Sequence, residues 1–593
     1  MFLPCTKEEM AQLGWEQADI ILVSGDAYVD SPFSGTAVIG HVLLAAGFKT
    51  AILPQPQLGS TSDILRLGSP RLFWGVSSGC VDSMVANYTA TGKRRQQDDF
   101  TPGEKNTARP DRAVIAYCNA IRSACKPCPP IVIGGIEASL RRIAHYDFWS
   151  DTVRRPLLFD AKADICVYGM GERTIVELAR CLRDQNEWRL LRGICYACPE
   201  RDLQDVLGSE PFGVLPAYAD VAVKDDSGRR AFLTMFDLFY RNQEARTART
   251  LVQKNDTRVL VHRPPAFPLT AGELDEVYGL PFAYDAHPMY RKLGKIRALD
   301  TIRFSVTTHR GCYGECNFCA IAVHQGRAVV SRSEASIIEE VRRLSQHPRF
   351  TGTLQDVGGP TANMYGFECS RKMQAGACPD KRCLYPQCCS ALKPTHQAQI
   401  RLLKKLRQLP GVKHVFVASG IRPDLVANDA ACGEAYLDEL VSYHVSGQLK
   451  LAPEHSVPRI LHAMGKPDTT ALLHFKERFD AINRRKGLRQ FLTYYFIAAH
   501  PGCTLDDMRA LRQFVLKHLK LTPEQVQIFT PTPSTWSTAM YYTGIDPVTG
   551  KGVNVVKSYR ERVEQKDCLT GPVEPWHPRE ASPGHQARKR PSS

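Results

Sequence analysis

Three cysteines, Cys312, Cys316 and Cys319, stand in C-x3-C-x2-C spacing behind a short apolar run, within the stretch SVTTHRGCYGECNFCAIAVHQGR at residues 305–327. A thiolate trio this compact suits three corners of a [4Fe-4S] cube and leaves the fourth iron without a protein ligand, open for chemistry. Zinc is the ordinary competitor, but a structural zinc site takes four ligands in paired spacing. The nearest fourth candidates, His309 and His324, fall outside that pairing, so the spacing favours the open cluster.

Around this loop, strand-like runs at 304–306, 352–357, 415–419, 449–452 and 491–498 alternate with helical stretches at 333–344, 398–409, 434–443 and 469–485. Strands separated by helices of this length imply parallel β-α repeats closing into a barrel, with about six repeats rather than eight. A site built on such a barrel lies at the carboxyl ends of the strands. After the second run, Gly358-Gly359-Pro360-Thr361 offers two residues without side chains, which permits positive φ and close approach of backbone to a ligand. After the third, Ser419 and Arg422 place a hydroxyl and a guanidinium at a strand end, and a guanidinium binds a carboxylate bidentately. The fourth ends in Lys450-Leu451-Ala452-Pro453-Glu454-His455, and the fifth in YYFIAAHPG.

Upstream, residues 18–56 read as a β-α-β unit, with apolar runs at 20–23 and 50–53 around a helical stretch at 36–46. Further runs at 72–76, 131–133 and 165–168 lead into glycine-rich turns, so the sum is α/β, a doubly wound parallel sheet. Such a sheet binds ligands beyond the carboxyl ends of its strands. The turns there are Gly134-Gly135-Ile136-Glu137 and Gly169-Met170-Gly171-Glu172. Residues 91–112, GKRRQQDDFTPGEKNTARPDR within them, read as a solvated loop. The expected organisation is an N-terminal sheet domain at 1–230, a connection at 231–298, the barrel at 299–510 with a cysteine-rich insertion at 366–396, a loop-rich cover at 511–566 and a disordered tail at 567–593.

The trio, with Phe318 just before its last cysteine, resembles the radical S-adenosylmethionine (SAM) superfamily. The longer string from His309 to Arg327, with GGPTANMYG from Gly358 and LKLAPEH from Leu449, resembles the YgiQ family within it. The resemblance implies a partial (β/α)6 barrel, a [4Fe-4S] cluster on Cys312, Cys316 and Cys319, and SAM on the open iron. It further implies that Gly358, Gly359, Pro360 and Thr361 meet the SAM amino group, Arg422 its carboxylate and Ser419 its ribose. Glu454 or His455 would touch the nucleoside or substrate, and backbone around Ile497 would pack on adenine. Ala498 and Ala499 stand where the family tends to carry small hydroxyl residues. The turns at Gly134 and Gly169 resemble those of cobalamin-binding domains. The D-x-H-x-x-G run that gives cobalt an axial histidine is missing, however, and the first strand is followed by Gly25-Asp26-Ala27-Tyr28-Val29-Asp30. Cobalamin is therefore not expected.

A second cysteine group, Cys369, Cys378, Cys383, Cys388 and Cys389, precedes His396. Its C-x8-C-x4-C-x4-C spacing fits neither common zinc fingers nor a ferredoxin run, so it predicts a second metal site that is either zinc or a cluster. Cys125 and Cys128, like Cys195 and Cys198, form C-x-x-C pairs that only the fold could unite into a zinc site.

Twenty cysteines fit a reducing compartment, the cytoplasm, better than a disulfide framework. No apolar run is long enough to span a membrane. The net charge of +15 permits attraction to nucleic acid without a basic stripe that would establish it. No Ser-His-Asp or paired-carboxylate arrangement stands out, which suits chemistry carried by a cofactor, and no catalytic side chain is assigned. The expected activity is reductive cleavage of SAM to a 5'-deoxyadenosyl radical acting on an unidentified substrate, with a flavodoxin- or ferredoxin-like electron donor. The alternatives are methyl or methylthio transfer, on RNA for example, and a metal-scaffolded nucleic-acid-binding protein without catalysis.

Overall fold

The computed structural model describes residues 1–524 and 526–571; the expected disordered tail lies outside them from residue 572 on. Residues 567–570 of that expected tail are helical, closing the helix Tyr559–Thr570.

The N-terminal half is built on one nine-stranded sheet. Its parallel core runs Thr50–Pro54, Ile20–Ser24, Phe73–Ser77, Ile131–Ile133, Ile165–Val167, each strand bonded in parallel to the next. Apolar side chains fill both faces, and every residue of Ile20–Ser24 and Thr50–Pro54 is buried, as strands sandwiched between helices require. Beyond Ile165–Val167 the sheet turns mixed. Ile194–Pro199, Arg258–His262 and Thr250–Asn255 add antiparallel, and Phe212–Leu215 pairs in parallel at the edge. The residues at 250–262 were expected to belong to the connection, yet they complete this sheet.

The segment 91–112 is another departure from expectation. Its polar sequence suggested a solvated loop, but Asp98, Thr101, Asn106 and Arg109 are all buried. Arg109 lies between Asp26 and Asp98, pairing with the first and standing 3.1 Å from the second. A charged loop can enter a core only when its charges cancel there, and Asp26, 83 residues from Arg109 in sequence, gave no local hint of this partner.

In the second half, six parallel strand positions follow one another in chain order. Ser305–Thr307 pairs with Asp356–Gly358, and Thr353–Leu354 with His414–Val415. A bridge joins Ile421 to Leu451, after which Gln448–Glu454 pairs with Phe491–Ala498 and that strand with Val526–Ile528. This is the expected partial barrel. Its sixth strand, Val526–Ile528, lies inside the stretch expected to be a loop-rich cover. Beyond that strand the stretch alternates loops at 529–535 and 544–558 with the helices Trp536–Thr543 and Tyr559–Thr570.

The halves are tied by buried polar contacts. Arg332 pairs with Glu340 where neither side chain is exposed, and Tyr284 donates to Glu340 at 2.9 Å. Arg310, next to the cysteine loop, pairs with Glu172 of the N-terminal sheet domain. Trp536 and Tyr542 pack edge-on against Phe236 and Phe232 of the helix Asp226–Arg241. Among the described residues no helix is long and apolar enough to cross a membrane.

Replacing Arg109 by Met would strand two buried carboxylates, Asp26 and Asp98. The expected cost is about 3–5 kcal/mol, read as a lower urea midpoint for the N-terminal half. A midpoint equal to the parent's would show that the loop does not need its charge balance.

Candidate functional site

The loop from Gly311 to Ala320 carries almost no regular structure, so contacts from elsewhere must fix it. Asn317 does most of this. Its backbone N–H donates to Met464 O at 2.8 Å, and its carbonyl accepts from Ser537 N at 2.9 Å. Its side chain donates to Ala463 O at 2.8 Å and accepts from Arg382 at 2.7 Å. The barrel helix Pro458–Met464, the cysteine-rich insertion and the helix Trp536–Thr543 thus converge on one buried amide. Glu315, at φ +44°, pairs with Arg327 at 2.8 Å, and Arg327 lies over the ring of Tyr240 at 4.8 Å. Tyr313 is fully buried and donates to Phe367 O.

These ties bring the three cysteines together. A side chain at Gly314 would come 3.3 Å from the Cys312 sulfur, 3.6 Å from that of Cys316 and 2.9 Å from Arg422 Nη1. The missing Cβ therefore leaves open the space that both sulfurs border. Gly314 N–H points to the Cys312 sulfur at 3.3 Å, and Arg422 Nη1 to the Cys316 sulfur at 3.8 Å, so donors already face the positions where thiolate charge would sit. Without metal the Cys312 and Cys319 thiols stay protonated. Burial, reinforced by Cys316, pushes Cys319 up to about 12 and raises Cys312 as well. Metal binding must displace those protons. All three cysteines are free. Among the described residues no three His, Cys, Asp or Glu side chains converge to hold a single ion. Two sulfurs of the trio bordering one open space, each faced by a donor, fit a multi-iron cube.

The glycine motif abuts this loop. Thr308 N–H donates to Gly358 O at 2.7 Å, His309 Nε2 lies 3.0 Å from Thr361 O, and Thr361 Oγ1 is 3.8 Å from the Cys312 sulfur. A Cβ on Gly359 would stand 2.7 Å from the His309 ring. Close approach, not positive φ, is thus what excludes a side chain there, since neither Gly358 nor Gly359 has φ above zero. Burial lowers His309 to about 4, so its ring is neutral.

The other expected contacts are rearranged by neighbours. The Ser419 hydroxyl donates to Asp356, which also accepts from Ala418 N and Ser419 N at 2.8 and 3.1 Å. Asp356, at the end of the second strand, was missed in sequence; only its place two residues before Gly358 could have flagged it. Arg422 is held bidentately by Asp424 at 2.9 and 2.6 Å, which leaves Nη1 turned to the cysteines. Glu454 sits at a bulge with φ +67°, 3.6 Å from Lys466, and burial raises its carboxyl. His455 turns into the core instead, fully buried, lowered to about 4 by burial, with its Nδ1 accepting from Val457 N at 3.1 Å. Ile497 is nearly buried in the ladder opposite Gln527.

The second cysteine group packs beside the loop. Cys369 shares a small core with Tyr313 and Leu384, against which Cys312, Cys383, Cys388 and Cys389 lean. Lys372 Nζ lies 4.7 Å over the Tyr313 ring, and its charge offsets part of the burial that raises Cys383. Cys378 is half-buried outside that core. The C-x-x-C pairs go separate ways: Cys125 hydrogen-bonds around its own turn, while Cys195 stands opposite Cys166 in the sheet.

Facing the glycine motif across the barrel mouth is a cavity of about 560 Å³. Gly134, Gly135, Gly169 and Gly171 of the N-terminal turns line one side, and Asp356, Gly358, Gly359 and Ser419 the other. The strand ends of both sheets therefore meet in one chamber.

Residues 2–305 match the radical SAM N-terminal family, residues 306–515 the radical SAM superfamily, and residues 524–570 a domain of unknown function. A UPF0313 protein of Fusobacterium nucleatum is 52% identical over 570 residues, which cover 96% of this chain and 98% of that one. One from Thermotoga maritima is 47% identical over 572 residues, with 96% and 98% covered. Among solved structures, the radical SAM methyltransferase TsrM of Kitasatospora setae, with cobalamin and a [4Fe-4S] cluster bound, is 15% identical at a TM-score of 0.49, covering 88% of this chain and 77% of that one.

Replacing Asn317 by Ala removes the two side-chain bonds that anchor the loop. Iron bound after anaerobic reconstitution is expected to fall from about four per chain to less than half of that. Full loading would show that the backbone contacts suffice.

Proposed function

The chain belongs to the UPF0313 family of radical SAM enzymes, and from that premise we propose how its own residues serve the chemistry. Cys312, Cys316 and Cys319 hold a [4Fe-4S] cluster and leave one iron for SAM. A cluster held there would supply one electron for reductive cleavage of SAM into methionine and a 5'-deoxyadenosyl radical able to abstract hydrogen from the substrate.

The observation that carries the reading is the shared space at Gly314, bordered by two cysteine sulfurs and the free Nη1 of Arg422. Arg422, already neutralised in part by Asp424, turns its remaining donor to the sulfurs and to the place of a SAM carboxylate. The flat backbone of Gly358, Gly359, Pro360 and Thr361 receives the amino group. Asp356 holds the Ser419 hydroxyl as a donor, so the ribose is met by that carboxylate and hydroxyl as a unit. Glu454 and Ile497 face the nucleoside from the fourth and fifth strands. Water is kept out by the helix Trp536–Thr543, which caps the loop through Asn317.

A flavodoxin- or ferredoxin-like protein supplies the electron, and twenty cysteines suit a reducing cytoplasm. We leave cobalamin out of this reading. Tyr28, two residues after Asp26, donates to Asp30 at 3.1 Å and lies outside the lining of the chamber. Cys369, Cys378, Cys383 and Cys388 are the candidates for a second metal. Protein with the first trio changed to Ala is expected to keep about one bound zinc or a cluster's iron; metal at background would reduce the group to thiol packing.

Anaerobic reduction of the reconstituted enzyme with SAM is expected to yield 5'-deoxyadenosine, and Cys316→Ala to abolish it. Asp356→Asn should raise the KM for SAM about tenfold with less effect on kcat, because the bond it loses is made before the transition state. No 5'-deoxyadenosine in the parent enzyme, with or without cell extract, would refute the reading.

A further inference from the structure

The chamber between the two sheets is mostly apolar, lined by Leu22, Val76, Val132, Ile136 and Val306 among others, with a glycine floor. Among its polar residues, Glu172 and His324 carry buried atoms without partners. Glu172 is 5% exposed; Arg310 takes its Oε1, while Oε2 has no hydrogen bond. His324 Nδ1 is likewise buried and unbonded, and burial holds the ring neutral by lowering it to about 4. Both residues line the chamber. A buried polar atom left unpaired is costly unless something fills it.

We propose that this chamber is the substrate seat. It takes a largely apolar, ring-sized molecule carrying one uncharged N–H or O–H donor, which Glu172 Oε2 receives beside His324. The proposal rests on the radical SAM reading above. Three observations fix the class. The volume of about 560 Å³ is in the range of small-molecule sites and is shared between SAM, on the wall of Asp356, Gly358, Gly359 and Ser419, and a second molecule on the wall of the N-terminal turns. The Arg310 guanidinium already balances the Glu172 charge, so a neutral donor suits the end better than a second cation or an anion. The chamber also runs from the N-terminal turns to Gly358 and Gly359 and past Ala320, the neighbour of Cys319, so its occupant lies against the place assigned to SAM.

The test is equilibrium dialysis of the reconstituted full chain with three probes: biphenyl-4-carboxamide, its N,N-dimethyl amide and biphenyl-4-carboxylate. The carboxamide is expected to bind about tenfold tighter than the other two, because they leave the acceptor unpaired or bring a like charge to it. In Glu172→Gln the amide oxygen can serve Arg310 and turn its NH2 into the chamber, so that preference should vanish. Ile136→Trp, which fills the space without touching the polar end, should weaken the carboxamide at least tenfold and so guards against a misfolded Glu172 variant. Equal binding of the three probes, a preference unchanged by Glu172→Gln, or retention of hydroxocobalamin that excludes the carboxamide would each overturn the proposal. If the carboxamide binds as expected while the enzyme forms no 5'-deoxyadenosine, the radical reading fails and the chamber's chemistry stands.

Discussion

The structure depends on holding three thiols of an irregular loop around one small space. Nothing in the loop's own backbone can do that, because it makes few internal bonds and passes through a left-handed residue at Glu315. The position is imposed from outside, chiefly through Asn317, where three distant segments meet one amide. The fold is therefore cooperative at its site. The barrel, the cysteine-rich insertion and the C-terminal helix must all be formed before the sulfurs stand in register.

The same logic extends to the N-terminal half. Its parallel core delivers two glycine-rich turns, at Gly134 and Gly169, to the barrel mouth, and Arg310 next to the cysteine loop is held by Glu172 at the second of them. A buried ion pair of this kind contributes less to net stability than to a unique relative placement of its partners, which is the role we assign it here. Arg332 with Glu340 does the same behind the first barrel strand. The consequence is a single chamber whose walls come from both halves, so neither domain alone would define what enters it.

Much of this was legible from sequence. The helices at 333–344, 398–409 and 434–443 match Glu334–Ser345, Gln397–Arg407 and Gly433–Tyr443 within two residues, because their apolar spacing is a local property. The cysteine trio and the glycine motif were legible too, since each is written in consecutive residues. What stayed hidden was set by partners far away in the chain. Arg109 is buried because Asp26 and Asp98 await it. Ser419 is committed to Asp356, and His455 and its neighbour Glu454 are both buried. The run at 259–262 reads as strand-like, but its place in the N-terminal sheet stayed hidden because antiparallel addition to a sheet edge is set by partners elsewhere in the chain. Asn317 sat between two cysteines without any sign of its four bonds.

On the function proposed here, one iron of the cube has no protein ligand and is kept for SAM. Mössbauer spectroscopy of protein reconstituted with enriched iron, recorded before and after SAM is added anaerobically, tests it most directly. About one iron in four should change its isomer shift on adding SAM while the rest stay as they were. Spectra in which no site responds, or protein that takes up a single zinc on Cys312, Cys316 and Cys319 in place of iron, would contradict it.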